Sequence, residues 1–114
     1  LIRGKRTFIW SAASLIPDRN NIINLMLEKK ITIKNKLGLH ARAAVKFVNL
    51  ANRFASSVRL VKDSSEVDGK SILGILTLAA GQGTQLKLVV SGRDEEQAMR
   101  ALTELINNRF GEDE

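Results

Sequence analysis

The sequence predicts an α+β domain: one four-stranded antiparallel sheet with three helices on a single face, in the order βαββαβα. Three observations lead there. Short segments alternate apolar and polar residues at the strand period of two, and longer segments repeat apolar residues at the helical three-and-four spacing. Two strand-to-helix steps are also separated by a polar turn, Asp63-Ser64-Ser65, that reads as a hairpin. Each helix has one apolar stripe and each strand one apolar face, so collecting the helices on one side buries both. The 114 residues leave room for one compact domain, and no internal repeat or low-complexity segment is present.

The first strand runs over 27–34, where Leu27, Lys29, Ile31 and Ile33 alternate with Glu28, Lys30, Thr32 and Lys34, and it ends at Asn35. Lys36-Leu37-Gly38-Leu39-His40 is a loop. A helix follows over 41–54, with Ala44, Phe47, Val48, Ala51 and Ala55 on one stripe. Ser56-Ser57 breaks it, and Val58, Leu60 and Lys62 alternate with Arg59 and Val61 in the second strand; Glu66 and Val67 return as a short third. Asp68-Gly69-Lys70-Ser71 then opens a short helix carrying Ile72, Leu73, Ile75, Leu76 and Ala79, for which Gly81-Gln82-Gly83 offers a glycine as left-handed cap. Leu86, Leu88 and Val90 mark the last strand. Ser91-Gly92-Arg93 breaks the chain, Asp94, Glu95 and Glu96 open the final helix, and Ala98, Leu102, Leu105, Ile106 and Arg109 form its stripe.

The formal charge of +6 raises the question of nucleic acid. Arg3, Lys5, Arg6 and Arg19 against Asp18 place a net +3 in the first 25 residues, half of the excess. Elsewhere the cations alternate with acids, and Glu112, Asp113 and Glu114 close the chain as a solvated acidic end. Sheet-based RNA binders stack bases on strand aromatics. Here Phe47 and Phe54 fall on the first helix, Phe110 near the last, Phe8 and Trp10 in the leader, and tyrosine is absent, so the expectation is no nucleic-acid partner. Cysteine is absent, which removes disulfides and thiolate chemistry, and no apolar run reaches the roughly 20 residues of a membrane helix. Residues 1–25 read as a leader outside the native domain: a basic start and an apolar stretch loosely imitate a secretory signal, but Ser11 and Ser14 interrupt it, and Met26 stands immediately before the first patterned segment as the natural start. The domain proper is 26–114.

The chemistry centres on His40, the one histidine. Gly38 permits close backbone approach, and His40 falls at or beside the N-cap of the first helix, where unpaired amides point at whatever occupies that end. A phosphoryl group on the imidazole would meet those amides and the positive end of the helix dipole, with Arg42 at hand as a further donor. The same dipole disfavours the imidazolium and keeps a ring nitrogen available as nucleophile. No second histidine or cysteine provides a metal site, and no nearby serine or carboxylate forming an evident triad is expected at His40. A carrier that forms and loses a phosphoramidate needs no more than this, and neither cofactor nor metal is expected.

Gly38-Leu39-His40-Ala41-Arg42, after one strand and before one helix, resembles the active-site signature of the HPr family, the histidine phosphocarriers of the phosphoenolpyruvate-dependent phosphotransferase system. A second stretch, Gly69-Lys70-Ser71-Ile72-Leu73-Gly74, resembles the family's regulatory serine segment. The resemblance spans Met26 to the C-terminus and implies an open-faced β-sandwich in the cytoplasm, phosphorylated stoichiometrically and not turning over as an enzyme by itself. It implies that His40 takes phosphate from Enzyme I for an Enzyme IIA-type acceptor, and that Arg42 stabilises the phosphoryl group. Ser71 matches the serine modified by HPr kinase/phosphorylase, which would inhibit carriage; it is equally a plain helix N-cap. Ile72 and Leu73 resemble apolar partner-docking residues, although a short helix ordinarily turns at least one such residue to the core. Ala43 stands where the family commonly has proline, which bears on the rigidity of the site more than on phosphotransfer. A monomer is expected. The rival reading is a regulatory docking module switched at Ser71, which could dispense with His40.

Overall fold

The computed structural model describes residues 26–114. Within it lie β1 (Leu27–Thr32), α1 (Ala41–Ala51), β2 (Ser57–Lys62), β3 (Ser65–Asp68), α2 (Ile72–Thr77), β4 (Gln85–Ser91) and α3 (Glu95–Asn107), followed by a single helical turn at Arg109–Gly111. The sheet order is β1-β4-β2-β3 and every pairing is antiparallel. This is the expected open-faced sandwich. The expected leader, 1–25, lies outside the described residues.

Alternation in the strands becomes one apolar face. Ile31 pairs with Leu86, and Val90 stands between Leu27 and Val58, while Leu88 faces Leu60; Ile31, Val58, Leu60, Leu86, Leu88 and Val90 are all buried. Onto that face α1 brings Ala43, Ala44, Phe47, Val48 and Ala51, and α3 brings Ala98, Met99, Leu102 and Ile106. The shorter α2 packs beside α1 and β3 and contributes Ile75. Each fully buried Leu, Ile, Val or Phe contributes about 1.5–3 kcal/mol, which is what holds the three helices on one side. The opposite face presents Lys30, Lys87, Arg59 and Glu66 to solvent, with an ion pair between Arg59 and Glu66.

Several element ends differ from the sequence reading, each for a reason of packing. Pairing of β1 stops at Thr32, although Ile33 stays buried and exchanges backbone hydrogen bonds with Thr84 and Gly83. Lys29 shares the inward parity of Ile31 yet is exposed: it lies on the edge strand beside Met99 and Arg100 of α3, where a lysine stem can pack and leave its ammonium in water. The first helix ends at Ala51 and leaves Phe54 and Ala55 outside. The Asp94 carboxylate draws the chain away there, accepting from Ala55 N at 2.8 Å, from Ser56 N at 3.0 Å and from the Ser56 hydroxyl. Asp94 therefore occupies the N-cap position of α3 without capping it with its side chain.

The stop of α2 is not a glycine. Ala79 takes the left-handed conformation, with φ 50°, whereas Gly81 has no positive φ. Lys62 Nζ meanwhile donates to Leu78 O at 2.9 Å, placing a cation at the negative end of the helix. Arg109 also falls outside the last helix: α3 ends at Asn107, and Arg109 and Phe110 follow with φ of 57° and 54°. Two consecutive left-handed residues cost about 1–2 kcal/mol each. Complete burial of the Phe110 ring recovers a similar amount.

Gly38 is a position that no other residue suits. Its φ is +72°, and a Cβ there would lie 2.6 Å from Ala80 O. Gly38→Ala is expected to lower stability by roughly 2 kcal/mol or more, read as a fall in Tm with unchanged far-UV circular dichroism. Asp94 supplies a second test. The Ser56 hydroxyl and then the Ala55 amide hold its carboxyl below the ordinary aspartate range. A depressed folded-state value means that the stabilisation is present at neutral pH and disappears as pH falls through that lowered value. Asp94→Asn should melt below the wild type at neutral pH, with the gap closing in acid; parallel Tm curves across that range would contradict the assignment.

Candidate functional site

The loop from Asn35 to His40 is held at several points by the backbone. Gly38 N donates to Asn35 O at 3.1 Å, Leu39 N to Ala80 O at 2.8 Å and His40 N to Gly38 O at 2.9 Å, while the Leu39 side chain is buried. These bonds leave His40 in extended geometry as the N-cap of α1, its carbonyl accepting from Ala44 N at 2.9 Å. The Nδ1 atom accepts from the backbone N–H of Arg42 at 3.2 Å. It thus occupies the place a serine or aspartate oxygen takes at most helix starts.

The other ring nitrogen is also engaged. Nε2 lies 2.5 Å from Oε2 of Glu112, 72 residues away in the chain. The second carboxylate oxygen, Oε1, accepts from Asn35 Nδ2 at 3.0 Å, and the same amide group donates to Gly38 O at 2.8 Å. The histidine side chain is 27% exposed and that of Glu112 only 14%. This corrects two expectations: a carboxylate does stand at His40, and the acidic C-terminus is not wholly solvated. Burial pushes the Glu112 carboxyl up, but the bonds from Asn35 and His40, with the field of His40 and Lys46, outweigh it and hold the group below the usual glutamate range.

Tertiary packing delivers that glutamate. Phe110 is fully buried, Lys46 Nζ donates to Phe110 O at 2.7 Å, and Lys36 N donates to Glu114 O at 2.9 Å. The left-handed turn at Arg109, Phe110 and Gly111 folds the tail back across the start of α1. Neither Glu112 nor Asn35 was legible as a site residue. Their only signal in the sequence was a polar residue closing an apolar strand and an acid in an acidic tail.

The predicted site residues fall in two places. His40 and Arg42 stand together at the start of α1, and among the described residues the exposed Arg42 guanidinium has no ion-pair partner. Ala43, beside them, is fully buried. Ser71 is the N-cap of α2 and its Oγ accepts from Gly74 N at 3.0 Å. Ile72 and Leu73 are 37% and 77% exposed, so neither belongs to the core, which falls to Ile75. Leu37, in the loop before His40, is another large exposed apolar residue that the sequence reading did not single out. Among the described residues no group of histidine, aspartate and glutamate side chains is arranged to hold a metal ion. Among them, too, no helix is long and apolar enough to cross a membrane.

Residues 27–108 match the family described as the PTS HPr component phosphorylation site. The chain is 55% identical over 89 residues to the phosphocarrier protein HPr of Neisseria meningitidis, covering 78% of this chain and all of that one. It is 57% identical over 86 residues to the HPr of Pseudomonas aeruginosa, covering 75% of this chain and 96% of the relative. Among solved structures, HPr from Thermoanaerobacter tengcongensis superposes with a TM-score of 0.75 at 48% identity, over 77% of this chain and 99% of that one. Bacillus subtilis Crh, described as a catabolite repression protein that crystallised as a domain-swapped dimer, superposes with a TM-score of 0.60 at 41% identity, over 71% and 93%. The open-faced sandwich, the histidine at the start of its first helix and these likenesses agree: the chain belongs to the HPr family, the phosphoryl carriers of the phosphotransferase system.

Proposed function

We propose that His40 accepts a phosphoryl group from phospho-Enzyme I on Nδ1 and passes it to an Enzyme IIA-type acceptor in the cytoplasm. The observation that carries this reading is the placing of the ring: Nδ1 faces the amide end of α1 while Nε2 is taken by Glu112. The Nδ1 lone pair attacks phosphorus, the bond from phosphorus to the donor's nitrogen breaks, and its electron pair stays with the donor. The transferred oxygens then meet the first-turn amides of α1, which lack intrahelical acceptors, and the Arg42 guanidinium can turn onto them. No cofactor or metal takes part.

Exposed Ile72 and Leu73 supply the apolar contact for both partners, at a helix start where the backbone is already ordered. The carrier works as a monomer, without nucleic acid and without membrane insertion. A second role is supported by Ser71, whose hydroxyl sits beside those docking residues. Phosphorylation there by an HPr kinase/phosphorylase adds charge at the docking surface and weakens partner binding. The rival reading, a pure docking module switched at Ser71, would work without the histidine.

Incubation with phosphoenolpyruvate, magnesium and Enzyme I should add one acid-labile phosphate to the wild type and none to His40→Ala. Arg42→Ala should still be phosphorylated, but about a hundredfold more slowly, the low end of the cost of losing one donor to a developing or transferred charge. A wild type left unmodified by an Enzyme I active on another HPr would overturn the carrier reading. Ser71→Asp should raise KM for phospho-Enzyme I several-fold with kcat little changed, because docking is impaired and the histidine is not.

A further inference from the structure

We infer that Glu112 is a positioning residue for phosphotransfer: its carboxylate keeps the proton of His40 on Nε2 and so leaves Nδ1 unprotonated, its lone pair engaged only by the Arg42 N–H until it attacks phosphorus. The inference rests on the carrier reading above and adds a residue and a proton to it. Its basis is a chain of hydrogen bonds in which every donor and acceptor can be assigned.

Asn35 sets the direction. Its side chain is fully buried, and its amide nitrogen spends one hydrogen on Gly38 O and the other on Glu112 Oε1. Gly38 O is a carbonyl and can only accept, so the amide cannot be reversed without setting two oxygens against each other. Glu112 must therefore present an acceptor to Asn35, and an ionised carboxylate presents a second one, Oε2, to the ring. The ring answers with an N–H at Nε2. At the other nitrogen the partner is the Arg42 backbone N–H, which can only donate, so Nδ1 must be bare. Both ends of the ring specify the same tautomer.

The consequences for transfer follow from charge. When Nδ1 bonds to phosphorus, the ring keeps its Nε2 proton and becomes a phosphoimidazolium whose positive charge lies against the Glu112 carboxylate. When the group moves on, the Nδ1–P bond breaks and its electron pair returns to Nδ1, so the leaving group is a neutral imidazole. Without the Nε2 proton it would be an imidazolate, a far poorer leaving group. One proton, held in place through the cycle, serves both acceptance and donation, and none has to enter or leave.

Glutamine at position 112 separates this role from mere support of the tail. Its oxygen would face Asn35, which places its NH2 against Nε2 and calls for a bare nitrogen there and a proton on Nδ1. Nitrogen-15 shifts of the His40 ring should report a protonated Nε2 and a bare Nδ1 in the wild type, with Glu112→Gln moving the balance toward a protonated Nδ1. Phosphorylation of Glu112→Gln by phospho-Enzyme I should fall about tenfold or more, in the range lost when a partner that fixes a histidine's tautomer is removed, and well short of the roughly 10⁴-fold seen when such a carboxylate becomes an amide in a catalytic triad. Glu112→Ala, which removes the partner without imposing the opposite one, should show a mixed ring and an intermediate rate; it serves also if the glutamine variant does not fold. The inference is overturned if both variants keep the wild-type tautomer, or if either is phosphorylated within about twofold of the wild-type rate. Failure of the carrier reading looks different: the wild type itself would take no phosphate, while the ring shifts would still locate the proton.

Discussion

The arrangement of the site depends on how closely two stretches of backbone meet at Gly38. Leu39 N–H bonds to Ala80 O at 2.8 Å, and a Cβ on Gly38 would collide with that same oxygen. The loop between β1 and α1 is thereby pinned to the segment that follows α2, with Leu39 buried beneath it. His40 comes next in the chain and has little freedom left. The cost of ordering the ring falls within folding, and under the proposed function it would not recur at each transfer, which is the advantage of placing a reactive group on a rigid element.

A second constraint operates from the far end of the chain. Left-handed geometry at Arg109 and Phe110 is unfavourable in itself, yet it turns the Phe110 ring into the core and points the tail back toward α1. Lys46 then clips the Phe110 carbonyl from the next turn of α1. Core packing thus sets the position of a polar group: burying one aromatic ring is what brings the Glu112 carboxylate to the histidine. The tail is part of the site although the last regular element ends at Asn107.

The surface around the histidine is compatible with the carrier role of the family. The ring sits at the surface, partly exposed, and the groove beside it is open and lined by charges of both signs, including Lys36, Arg42 and Glu114. Under the proposed function a donor and an acceptor protein would each have to reach the same nitrogen in turn, and enclosure would obstruct that. Leu37, Ile72 and Leu73 are large apolar side chains left exposed on ordered backbone.

What the sequence by itself determined was whatever depends on near neighbours. Alternation placed the inward faces of the strands, the three-and-four spacing placed the stripes of α1 and α3, and Gly38 before the onset of a helical pattern placed His40 at a helix start, because each is a relation among residues a few positions apart. The ends of elements escaped that reading: α1 stops at Ala51 because Asp94 claims the amides beyond it, and Ala79 rather than a glycine turns left-handed to follow the path the packing requires. The contact between His40 and Glu112 escaped it altogether. Two residues 72 positions apart have no periodicity to link them, and only the closure of the core around Phe110 decided that they meet.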